Sequence, residues 1–171
     1  MKRTSARPHL AIVLLSLAAA VALAAQHPAD HHNQHHNQVD RRGDRAMGFD
    51  HTKTTHRFRL KADGGIIEVF AQDPQDLDSR DKIRRHLAHI ARRFAAGDFA
   101  LPAFIHGQNP PGVPAMVRLK DEIKYEFKET ERGGRVHVST VNGDALAALH
   151  EFLRFQIRDH RTGDSPEVEK E

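Results

Sequence analysis

Apolar residues return every third or fourth position in two stretches of the chain. From Ser79 to Asp98 they are Ile83, Leu87, Ile90, Ala91 and Phe94; from Gly143 to Asp164 they are Leu146, Leu149, Leu153 and Ile157. At about 100° per residue each set forms one stripe, which predicts two amphipathic helices. His150 and His160 fall on the second stripe. Two shorter runs precede each helix and alternate with the period of a strand. The first pair is His56 to Leu60 and Ile66 to Ala71. The second is Ile123-Tyr125-Phe127 and Val136-Val138, each broken by charged or polar residues. Asp63-Gly64-Gly65 and Gly133-Gly134 lie between partners, and such residues tolerate the positive φ of a hairpin turn. Asp78 or Ser79 can cap the first helix, and Gly97 can close it. The pattern is therefore strand, turn, strand, helix, twice over. It predicts an α+β domain of duplicated ββα units, with a four-stranded antiparallel sheet and both helices on one face.

The remaining stretches break this pattern. Phe99 to Val117 carries Pro102, Pro110, Pro111 and Pro114 and is expected to be an irregular crossover between the halves. Phe152 and Phe155 fall off the apolar stripe of the second helix, so either that crossover covers them or a second subunit does. The latter would make a homodimer through Phe152 and Phe155. Gln26 to Arg45 has almost no apolar residue and cannot support a core. Lys2, Arg3 and Arg7 precede an apolar run, Leu10 to Ala25, in which Ala22-Leu23-Ala24 fits the small-x-small cleavage rule. The expected organisation is a signal peptide over 1–24, an unstructured His-rich leader over 25–46, an α+β domain over 47–164 and a loose acidic tail over 165–171.

Composition narrows the setting. The predicted signal implies a periplasmic or secreted protein with no membrane association after cleavage. The chain has no cysteine, so its core must hold without disulfides. Its formal charge of +3 comes from 26 Lys/Arg against 23 Asp/Glu. Three of the basic residues lie in the predicted signal, which leaves 23 against 23 and no basic excess for nucleic acid.

Histidine is the chemical signal. Of 14 in the chain, five lie in the leader: His27, His31, His32, His35 and His36. Unprotonated imidazoles suit Cu(II), Ni(II) and Zn(II), so metal ions are the expected partners. Cleavage after Ala24 would start the chain at Ala25-Gln26-His27. The Ala25 amine, two amide nitrogens and the His27 imidazole then form a planar set of four, which suits Cu(II) and Ni(II) better than tetrahedral Zn(II). Within the domain, His56 shares the inward strand face with Phe58 and Leu60, and His150 sits among leucines. These two complete the candidate ligand set. The alternative for a buried histidine is one held by a backbone hydrogen bond. His56 could pair with His150 or with His160, but those two lie too far apart along one helix to share an ion. His86 and His89 have chelating spacing, although His89 points to solvent, and His106 is placed to join any site.

No thiol, G-x-S-x-G elbow, P-loop or H-E-x-x-H motif is present, which argues against an enzyme and yields no catalytic residue. Met47-Gly48-Phe49-Asp50, Lys53-Thr54-Thr55-His56, Asp63-Gly64-Gly65, Pro110 to Pro114 and Phe152 to Asp164 together resemble a family of small exported bacterial proteins. That resemblance implies a single domain after Met47 and brings no catalytic residues. Similar sequences carry an aspartate carbamoyltransferase label. That enzyme holds carbamoyl phosphate with a Ser-Thr-Arg-Thr loop, and this chain has none. The expected activity is transition-metal binding or handling, with a protein-interaction module as the alternative.

Overall fold

A computed structural model describes residues 28–170, with side chains from Gln34 onward. The predicted signal segment, Ala25 and His27 lie outside these residues. Residues from His35 onward form one compact unit. Among the described residues no helix is long and apolar enough to cross a membrane.

The duplicated ββα pattern is present. Strands β1 (Thr54–Lys61) and β2 (Gly64–Ala71) form one hairpin and precede helix α2 (Leu77–Ala95); β3 (Ile123–Thr130) and β4 (Gly133–Thr140) form the other and precede α5 (Gly143–His160). The four strands make one antiparallel sheet in the order β1-β2-β4-β3. Phe58 pairs with Ile67, Ile67 with Val136, and Val136 with Phe127. This ladder row points at the helices and belongs to the core. The helices cross over. Helix α2 rests mainly on β4 and β3, and α5 mainly on β1 and β2. The close approach of α5 requires Gly65, because a Cβ there would lie 2.3 Å from Leu153 Cδ1.

Four expectations change. The polar segment before Met47 is helical, as α1 (Pro28–Met47). Its buried stripe is narrow, with His36, Val39 and Gly43 one turn apart, and Val39 is only 1% exposed. Polar anchors fix it: Arg42 Nε donates to Ile105 O at 2.8 Å, and His36 Nδ1 donates to Asp159 O at 3.2 Å. One aliphatic side chain plus such bonds left no periodic signal to read. The expected crossover contains two short helices, α3 (Ala100–His106) and α4 (Val113–Arg118). Their prolines, Pro102 and Pro114, lie in first turns, where the missing N–H costs nothing.

For Phe152 and Phe155, the first of the two expected covers, the crossover, is present. Phe152 is 2% exposed and meets Phe94 and Phe99, while Phe155 packs on His106 with ring centres 4.9 Å apart. The crossover therefore covers them, through Phe99 and His106. Gly112 lets the crossover approach α5. It has φ +82°, and a Cβ there would lie 2.0 Å from Ala148 O. Third, the acidic tail is placed along the edge of β1, where Glu169 N donates to Leu60 O at 2.9 Å and Lys61 pairs with Glu169. Fourth, the cap of α2 is Asp76, two residues before Asp78, and its carboxylate accepts from Ser79 N.

Candidate metal centre

Histidines from four separate elements meet at one end of the sheet. His56 lies near the start of β1 on its inward face. Its ring is 5.5 Å from that of His160, the last residue of α5, and the two planes differ by 2°. His106, at the end of α3, is 5.0 Å from His160. His86 extends from α2 and sits edge-on to Phe49, which stacks on His56. Burial lowers the His56 imidazole to about 4, with nearby His51 adding to the shift. Burial likewise lowers His86 to about 3, with His56 and His89 adding. His160 lies well below the usual histidine range, again chiefly through burial. These rings are neutral at pH 7, the form that can ligate.

Asp159 organises the neighbouring groups. Its Oδ1 accepts from His35 Nε2 at 2.9 Å, its Oδ2 from His106 Nδ1, and its carbonyl from His36. Burial would raise this carboxylate, but the hydrogen bonds from His106 and His35 outweigh it and hold the group at about 2. His106 Nε2 faces Gln156 Oε1 at 3.0 Å, while the buried Gln156 Nε2 has no partner. Turning that amide over would give His106 Nε2 a donor but leave the amide oxygen in the same unpartnered place.

Two cavities flank the His56–His160 pair. One, of about 60 Å³, is mostly apolar and reaches His86, His106, Phe58 and Phe94. The other, of about 190 Å³, is more polar and reaches Asp40, His51, Thr54 and Thr162. Met47, His56 and His160 line both. His51 is oriented at the polar cavity. Its Nδ1 and backbone N both donate to Asp44 Oδ1, at 2.9 and 2.8 Å, and its Nε2 is left 3.8 Å from Asp40 Oδ2. A carboxylate fixing one imidazole nitrogen while the other faces a cavity is the arrangement that supports metal-ligating histidines.

No protein-family model, curated protein or solved structure matches this chain. Its site is therefore read from its own residues.

Among the described residues, one trio brings three His, Asp or Glu ligand atoms within 4.8 Å of one another: Asp44, Asp50 and His51. Their atoms are already engaged, because Asp44 accepts from His51 and Asp50 accepts from Thr52 N and Oγ1. Of the sequence candidates, His35 and His36 reach Asp159, and His56 lines both cavities. His31 and His32 lie on α1, and their side chains are outside the description. His150 does not join the group. Its Nε2 donates to Lys61 O and Gly64 O, both at 3.0 Å, and so ties α5 to the β1–β2 turn. That turn is five residues along β1 from His56, roughly 17 Å. Sequence reasoning passed over Asp40, Met47, His51 and Asp159. His160 and His106 were noted as histidines, but nothing in the sequence placed them together.

Proposed function

We propose that the protein binds a late transition-metal ion, of the Cu, Ni or Zn class, through imidazoles of the folded domain. The His-rich start of the chain, His27, His31 and His32, is by its composition a separate set of donors. The observation that carries this reading is the orientation of His51 by Asp44 toward a cavity it shares with His56, His160, Met47 and Asp40. The basic start and apolar run of residues 1–25 support an exported protein, in which such an ion would be met outside the cytoplasm. Calorimetric titration of the chain with Cu(II), Ni(II) and Zn(II) tests the reading. The expected result is a site whose affinity falls about 10- to 100-fold in His56→Ala or His51→Ala. Unchanged affinity in both variants would remove the domain from the site and leave only the His-rich start.

A further inference from the structure

Met47, His56 and His160 are the three residues common to both cavities, and all three carry neutral donors. They come from the end of α1, the start of β1 and the last turn of α5. Building on the metal reading above, we propose that this boundary is a copper(I) site, with the Met47 thioether and the His56 and His160 imidazoles as ligands.

Three observations favour Cu(I) over the divalent ions. The first is donor number. Among the described residues, no His/Asp/Glu trio at this boundary has ligand atoms within 4.8 Å of one another, so those residues do not assemble a tetrahedral or square set of four N/O donors there. Cu(I) is content with two or three donors. The second is softness. A thioether is a soft ligand that selects Cu(I), and it adds little for Zn(II) or Ni(II). The third is charge. The solvation cost of burying an ion rises with the square of its charge, so a monovalent ion beside neutral ligands and an apolar cavity costs about a quarter of a divalent one.

The surroundings suit that ion. On the inner side, Phe58, Phe94 and Ile105 line the smaller cavity and keep the metal from bulk water. On the outer side, Asp40 and His51 line the larger one and offer harder donors along the way in. Among the described residues, Met47 is the one methionine that lines these cavities. The chain has three methionines, and of the other two Met116 is 1% exposed in the core, while Met1 lies outside the described residues.

The test uses the full chain reduced with ascorbate in the absence of oxygen. Cu(I) is titrated against a chromophoric Cu(I) chelator, and the loaded protein is examined by X-ray absorption at the copper edge. The expected result is one sulfur scatterer beside nitrogen in the wild type. Met47→Leu, which keeps the side-chain volume, should lose that scatterer and weaken Cu(I) binding about tenfold or more, with its circular dichroism unchanged. A wild-type spectrum of nitrogen alone, or a sulfur signal that survives Met47→Leu, overturns the proposal whether or not the variant folds well. If metal still binds in a His56-dependent way, the broader reading stands and only the copper(I) assignment falls. If no ion binds through His56, both fall.

Discussion

Acid should unfold this domain at a milder pH than its carboxylates alone would require. His56 titrates near 4 and His86 near 3 in the folded chain, against 6.5 when exposed. Between those values the unfolded chain takes up a proton at each site and the folded chain does not. Stability is therefore complete above pH 6.5 and is lost as pH falls toward the folded values. At pH 5 the gap from 6.5 is about 1.5 units, or roughly 2 kcal/mol per imidazole. Both rings keep some access to solvent, so about 4 kcal/mol for the pair is an upper figure. His160 shifts in the same direction and adds to it. A small domain has about 5–15 kcal/mol in all, so the loss is a large share. Asp159 does not contribute at pH 5. Its folded value is about 2, and its stabilising part begins to fade only as pH drops below 3.8. The assay is urea unfolding followed by circular dichroism, with chelator present, at about pH 7.5, 6.5 and 5. His86→Phe should reduce the pH dependence by up to about 2 kcal/mol, because a phenyl ring can keep the edge-on contact with Phe49 and has nothing to titrate. A midpoint unchanged between pH 7.5 and 5 would refute the neutral, largely desolvated state of these rings.

Other expectations follow from the contacts. Asp159→Asn weakens the acceptor for His35 and His106, so α1 should loosen; faster tryptic cleavage at Arg41 or Arg42 would show this, and unchanged cleavage would not fit. Gly112→Ala places a Cβ against the Ala148 carbonyl at a left-handed φ, with an expected cost of about 2–4 kcal/mol read as a lower melting temperature. A chain beginning at Met47 loses Val39, His36 and Arg42 from its packing. It should keep the sheet signal in circular dichroism but melt earlier than one beginning at Pro28, and equal melting temperatures would mean that α1 contributes nothing.

The legible parts of the fold are those with a strong period. Ile83 to Phe94, Leu146 to Ile157 and the alternating strands bury several large side chains each, so burial left its mark on the order of residues. Helix α1 did not, because it buries His36, Val39 and Gly43 and relies on polar anchors whose partners are in α3 and α5. The crossover was misread because prolines suggest broken structure, whereas Pro102 and Pro114 sit where helices accept them. The site was legible only in part. The inward placement of His56 follows from strand alternation, and His160 follows from the helix stripe. Their meeting depends on how the start of β1 lies beside the end of α5, more than 100 residues later, which no local pattern encodes. His51 and Asp44 lie seven residues apart, but their bond needs the turn at Gly48 that joins α1 to the sheet.

The crossing of the helices has a consequence for how the chain is made. When synthesis has reached Ala96, the first hairpin and α2 exist, but the strands on which α2 mainly rests have not been made. The inner face of β1 is bare as well, since its cover is α5, the last helix to emerge, and that of β2, which the two helices share, is only part covered. Neither ββα half is a finished object, and the apolar stripe of α2 stays exposed until β3 and β4 arrive. Such a nascent half is open to association with other chains. The same incompleteness means that two separate ββα polypeptides could close only by trading helices, each lending its own to the hairpin of the other. In the single chain that exchange has become internal.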